Sequence, residues 1–184
     1  MKNKLYAKLM DIFTQGSERF VNEETELILS GVSERCLCGA FMLKIRQKID
    51  GSEFENYYVD IEYNRNYDGR IKSKIDEKME VIDITCDLII HSRGTIPNQD
   101  NLISFEMKRD THKEDEKAKD RIRLKALKRT TYDSRNYSAD GTTLPEYVCG
   151  YIIGVFYEIS IKKREINIEY YYEGNLKSTF TKRF

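Results

Sequence analysis

The stretch CDLIIHSRGTIPNQDNLISFEMKR, residues 86–109, decides how the rest of the chain is read. Two apolar runs flank SRGTIPNQD, whose Gly, Pro, Asn and Asp mark a hairpin loop. Each run holds an acid where a buried strand should not: Asp87 in the first, Glu106 in the second. Lys108 follows in place of the next apolar side chain. A buried charge is costly unless it is paired or bound to a metal. Strand side chains alternate faces. Leu102, Ser104, Glu106 and Lys108 therefore share one face, and Ile103, Phe105 and Met107 take the other. Glu106 and Lys108 lie about 7 Å apart along the strand by its rise. In the preceding strand Asp83, Thr85, Asp87 and His91 share a face. If Asp87 pairs opposite Glu106, two carboxylates and one ammonium converge. Two adjacent carboxylates repel unless a cation sits between them. Oxygen ligands select a hard ion, most simply Mg²⁺. A lysine beside such an ion can position or deprotonate a water, or neutralise charge developing on a phosphate. A partly buried salt bridge among the same three groups is the alternative.

Working outward, residues 2–30 read as one or two helices, with Leu5, Leu9, Ile12 and Phe13 near helical spacing. Gly16-Ser17 reads as a break, with Ser17 as a cap. Ser33 is a natural N-cap for a further helix, whose face is Leu37, Ala40, Phe41 and Ile45. The period then changes to two in ENYYVDIEYNR, residues 55–65, the pattern of a half-buried strand. MEVIDITCDLIIHSRG, residues 79–94, reads as a second strand and NLISFEMKR, residues 101–109, as a third. Residues 111–132 read as a charged helix. PEYVCGYIIGVFYEIS, residues 145–160, is a nearly continuous apolar strand suited to the middle of a sheet. REINIEYYYEGN, residues 164–175, alternates again and pairs with it across a Lys-Lys-Arg turn. The order predicts an α/β domain: a mixed β-sheet flanked by helices, with the first three strands an antiparallel meander and the fourth reached by a parallel crossover.

The chain has 184 residues, enough for one core, and 40% of them are hydrophobic, with 13 Tyr. No apolar run approaches the length that spans a membrane. The first residues, MKNKLYAKLMDIF, are too polar for a signal peptide, so the expected location is cytoplasmic. Four cysteines without a disulfide-scaffold spacing agree with that. Cys36-x-Cys38 lacks a second ligand pair at zinc-finger spacing. The 31 basic and 31 acidic residues cancel, which argues against a protein that coats nucleic acid by bulk charge but leaves room for a local basic cleft.

The ordered set Ser33-Glu34-Arg35, Glu62-Tyr63-Asn64-Arg65, Asp87-x-x-x-His91-x-Arg93-Gly94, Glu106-x-Lys108 and Gly150-Tyr151 to Glu158 resembles the PD-(D/E)xK phosphodiesterase superfamily, in particular a poorly characterised bacterial branch of it. The resemblance covers roughly residues 30–160. It implies a restriction-endonuclease-like core over residues 33–184, with residues 1–32 an N-terminal helical extension packed on it. It further implies a Mg²⁺-dependent nuclease, with Mn²⁺ as a substitute, that hydrolyses phosphodiester bonds of nucleic acid, DNA first, in defence or repair. By the same resemblance Asp87 and Glu106 would bind the metal, the Met107 carbonyl would complete its shell, and Glu34 would reach it directly or through water. Lys108 would orient or activate the attacking water. Thr85-Cys86 stands where the superfamily often has proline before the aspartate.

Glu62, Asn64 and Arg65 at a strand end read either as support for the site or as a solvated edge. His91, on the Asp87 face, reads as support or as a satisfied polar residue. Arg93 could grip a phosphate through its planar fork. KAKDRIRLKALKR, residues 117–129, has seven basic residues and one acid. On a helix Lys117, Arg121, Lys125 and Lys128 form one stripe, which reads as a backbone contact for nucleic acid or as a solvated face. Three functions compete: an active nuclease, a catalytically silent nuclease-fold module that binds nucleic acid or protein, and an interaction protein in which these charges form an ion-pair network. A homodimer or a separate targeting protein would supply target choice.

Overall fold

The computed structural model describes residues 2–65, 73–75, 81–83, 85–127 and 149–184. Six strands form one mixed sheet in the order β1-β4-β5-β6-β7-β8. These are β1 (Tyr58–Ile61), β4 (Leu88–His91), β5 (Asn101–Arg109), β6 (Ile153–Ser160), β7 (Glu165–Tyr172) and β8 (Asn175–Arg183). β1, β4 and β5 make the expected antiparallel meander. β5 and β6 are parallel and are joined through α4 (Glu114–Leu127). β6, β7 and β8 turn back antiparallel. β2 (Ser73–Ile75) and β3 (Val81–Asp83) form a separate antiparallel pair. The expected second strand, residues 79–94, is therefore two elements in two sheets, and Asp87 lies in a bend just ahead of β4.

One face of the large sheet is apolar. Ile103, Phe105 and Met107 of β5 and Val155, Tyr157 and Ile159 of β6 join one buried cluster with α1 (Lys2–Glu23) and α3 (Glu34–Ile49). Phe41 of α3 stacks on Phe105 with ring centroids 4.9 Å apart, and Phe13 of α1 tilts against both at 5.4 and 5.9 Å. Ser33 caps α3 as expected, its hydroxyl accepting from the Cys36 N–H at 3.3 Å.

The expected break at Gly16-Ser17 does not occur, and α1 runs through it. A methyl at Gly16 would stand 2.4 Å from Ile45 Cδ1. The glycine is there to let α1 and α3 close on one another, and tertiary packing outweighs its propensity cost of about 1 kcal/mol. The Ser17 hydroxyl is 3.0 Å from the buried Tyr157 hydroxyl, so it satisfies the sheet rather than a helix end. A short α2 (Thr25–Leu29) follows.

The opposite face of the sheet meets α4. Lys117, Asp120, Leu124 and Leu127 are the buried positions of that helix, at spacings of three, four and three, which is one helical stripe. Leu124 packs with Phe156 and Tyr171. Ser104 and Glu106 of β5, both buried, lie on this face. β8 was not anticipated from the sequence, because its residues are mostly exposed and show no apolar period. Among the described residues, no helix is long and apolar enough to cross a membrane.

Candidate active site

The β4–β5 register, with Leu88 opposite Phe105, brings residue 87 beside residue 106. The Asp87 carboxylate turns back over β5 and its Oδ2 accepts the Met107 N–H at 2.8 Å. Its pKa is raised, first by burial; the Met107 N–H and Lys108 pull the other way. Glu106 is deeper, at 1% exposure. Burial, then the neighbouring Asp87 charge, push its carboxyl up to about 8, against the opposing pull of Arg123. A hydrogen bond from the Glu106 carboxyl to Asp87 fits that order of acidities.

Lys108 lies at the focus of the cluster. Its Nζ is 3.4 Å from Asp120 Oδ2, 3.6 Å from Glu34 Oε2 and 3.9 Å from Asp87 Oδ2. All three exceed the roughly 2.7–2.9 Å of a short charge-assisted hydrogen bond, so the ammonium is held by a ring of charge. Burial lowers its pKa, but Asp87, Asp120, Glu34 and Glu106 outweigh that and raise it. In this arrangement Lys108 is a cation and a donor, not a base.

Glu34, first residue of α3, reaches the end of β5. Its Oε1 accepts the Arg109 N–H at 2.9 Å, and His112 Nε2 stands 3.4 Å from the same oxygen. From α4, Arg123 Nη1 donates to Glu106 Oε1 at 2.6 Å and to the Thr85 carbonyl at 3.1 Å, while Nη2 donates to Asp120 Oδ1 at 2.8 Å. Asp120 Oδ2 is buried without a hydrogen bond. Asp120, Arg123 and His112 were missed in the sequence. The first two could have been found from the stripe of Asp120, Leu124 and Leu127, which marks the face of α4 that must meet the sheet. His112 gives no such signal.

The structure thus brings Glu34, Asp87, Glu106 and Lys108 together. The donor set is chemically right for a hard divalent ion: carboxylate oxygens, crowded and partly buried, with two raised pKa values that a cation between them would relieve. As arranged, the cations in the cluster are Lys108 and Arg123, and among the described residues no three His, Cys, Asp or Glu side chains stand close enough to hold an ion. The Met107 side chain points into the apolar layer, with its sulfur 4.0 Å from Cys38 Sγ.

Other candidates lie elsewhere. His91 is fully buried, 2.8 Å from Asp60 Oδ2, and its ring packs on Tyr63. Arg93 donates to both Asp60 oxygens and lies over the Tyr58 ring, 4.1 Å from its centroid. Its fork is committed to a carboxylate inside the protein. Glu62 pairs with Arg35, Asn64 is half-buried and Arg65 is exposed. The expected outward stripe on α4 is corrected. Lys117 is 3% exposed and bonds Glu158 Oε1 at 2.7 Å and the Asp110 carbonyl at 3.1 Å. Arg121 holds Glu169 through two nitrogens at 2.9–3.0 Å. Both turn toward the sheet because its α4 face presents the carboxylates of Glu158 and Glu169. Lys125 is exposed, 5.8 Å from the Tyr171 ring centroid, and Lys128 lies outside the described residues. Cys36 is exposed, whereas Cys38, Cys86 and Cys149 are buried. No protein-family model, curated protein or solved structure matches this chain.

Proposed function

We propose that the cleft hydrolyses phosphodiester bonds of nucleic acid, with DNA the first substrate, in the manner of the restriction-endonuclease-like fold and with Mg²⁺ as cofactor. The observation that carries this reading is the convergence of Asp87, Glu106 and Lys108 on one face of β4–β5, with Glu34 arriving from α3. Asp87, Glu106 and Glu34 would hold the ion, which supplies charge neutralisation and a more acidic water. Lys108, kept protonated by its neighbours, orients the attacking water and balances negative charge that grows on the phosphate. The Arg109 and Met107 N–H groups hold the Glu34 and Asp87 carboxylates beside Lys108. Arg123 keeps Glu106 from swinging away from β5.

A second reading is favoured by one contact. Arg123 already satisfies Glu106, as in a nuclease-fold module without turnover that binds nucleic acid or protein. Incubation of supercoiled plasmid and single-stranded DNA with the protein separates the two. Cleavage with Mg²⁺ or Mn²⁺ that EDTA stops, and that Lys108→Met abolishes, supports the nuclease. Intact substrate at every metal concentration rejects it.

A further inference from the structure

A cavity of ≈ 290 Å³ opens beside the carboxylate cluster, lined by Ser33, Glu34, Arg35, Cys38, Ile61, Glu62 and Asp87. We propose that it receives one unpaired nucleobase adjacent to the phosphate handled by the cluster, which makes single-stranded DNA, or a locally unpaired nucleotide, the preferred substrate. The inference rests on the reading of that cluster as a phosphodiester site.

Size comes first. The cavity lies near the lower edge of the roughly 300–1,000 Å³ of small-molecule pockets, so it suits one flat heterocycle rather than a base pair. Its lining has the two characters a base needs. Cys38 is buried and Ile61 half-buried, and Ile61 closes on Gly39 of α3, so they give an apolar wall. The Arg35–Glu62 pair gives a planar polar one, with Arg35 Nε donating to Glu62 Oε1 at 3.0 Å. Arg35 remains 71% exposed, which leaves its guanidinium face open for stacking and its other N–H groups open to a base edge. Glu62 keeps lone pairs for an exocyclic amino group. Its backbone is left-handed, with φ +52, although it is not glycine. The strained residue is tied to the cluster, because its N–H donates to the Asp87 carbonyl at 3.3 Å. Strain of that kind gathers at functional sites.

The charge distribution points the same way. Arg93, Lys117 and Arg121 are each held by carboxylates of the chain and are not available as phosphate clamps along a duplex. Grip on one strand by stacking needs fewer of them. A base that is already unpaired also enters a pocket without the cost of leaving a stack.

The test uses substrates rather than core mutations. Fluorescence anisotropy with Ca²⁺ measures binding of a labelled single-stranded DNA, its duplex, and a series with one abasic nucleotide at successive positions; cleavage of the same series is followed with Mg²⁺. Expected are single-strand binding tighter than duplex by about tenfold or more, and one abasic position, next to the cut bond, that weakens binding by about tenfold. Arg35→Ala, at an exposed position, should abolish that positional effect. Equal binding of both forms, or no abasic-sensitive position, or no binding of either form, overturns the assignment. If no strand is cut yet the abasic-sensitive, Arg35-dependent binding is present, the base pocket stands and the nuclease reading falls.

Discussion

The Arg123 guanidinium reaches from α4 onto the sheet face beneath it and meets Glu106, Nη1 to Oε1 at 2.6 Å, an acid that is 1% exposed. Removing one member of a buried pair leaves the other charge uncompensated, typically at about 3–5 kcal/mol. Arg123 is itself 29% exposed, and Glu106, with a pKa pushed up to about 8, is only partly ionised at pH 8, so the loss should fall below that range. Arg123→Met should lower the melting temperature by several degrees at pH 8, on the scale of about 2–4 °C per kcal/mol for a chain of this length. The loss should shrink at pH 5, where Glu106 takes a proton. Calorimetry at the two pH values measures it. An equal loss at both would show that the arginine acts by packing alone.

Glu106 gives the stability of the ion-free protein a definite slope with pH. Its folded pKa, about 8, lies above the ordinary 4.5, so the folded state binds the proton more tightly than the unfolded chain. The stability linked to that proton is complete below about 4.5 and is lost as pH climbs toward 8. Glu106→Gln removes the titration and keeps the shape. The variant should melt higher than wild type at pH 8, by more than about 1 kcal/mol, with the difference closing by pH 5. Parallel melting curves for the two proteins across that window would refute the assignment of the slope to this residue.

Asp87→Asn and Lys108→Met separate holding the ion from acting on the substrate. The first removes a carboxylate charge, so Mg²⁺ affinity and cleavage should fall together. The second removes a cation from among Asp120, Glu34 and Asp87. Metal affinity should stay or rise, while cleavage falls about a hundredfold or more, the usual size for one electrostatic or acid–base group. Metal titration and rates are read on the same two preparations. Wild-type cleavage by Lys108→Met would reduce the Glu-x-Lys to an ion pair.

Lys117 is expected to be a stability residue. With Glu158 and the Asp110 carbonyl as partners, Lys117→Met should cost about 2–3 kcal/mol by leaving a carboxylate at 16% exposure unpaired. The salt dependence of nucleic-acid binding should not move. Lys125→Ala, at an exposed position, should leave melting within about 0.5 kcal/mol. A flatter salt slope in Lys117→Met would return this lysine to the phosphate backbone.

Alternation sorted residues 103–108 of β5 into two faces, because a central strand has a regular period and two different environments; at Leu102, expected on the Glu106 face, a register shift against β4 breaks the period and the side chain joins the apolar cluster. The neighbouring acid at Asp87 followed once the hairpin was recognised. The sequence misled where the third dimension decided. Gly16 looked like a stop and is a close contact with Ile45. Lys117 and Arg121 looked like an outward stripe, open to a nucleic-acid backbone or to solvent, because helical spacing says which residues share a face, not which way it points. Their carboxylate partners, Glu158 and Glu169, are 41 and 48 residues away. Asp120 and Arg123 were hidden by the same ambiguity. β8 was illegible because an exposed edge strand needs no apolar repeat.

The two faces of β5 place a limit on how this chain can vary in length. Odd-numbered residues from 103 to 107 fill the apolar layer under α1 and α3, and even-numbered ones from 104 to 108 face α4 and the cleft. Substitutions can change one side at a time. An insertion or deletion of one residue changes both at once, because slipping a strand by one reverses every side chain. It would drive Glu106 between Phe41 and Tyr157 and turn Met107 toward Lys108's partners. Length is therefore fixed within β5, and the hairpin before it is held as well, the Ser92 hydroxyl and the Gly94 N–H both donating to Asp100 Oδ1 at 2.7 and 2.8 Å.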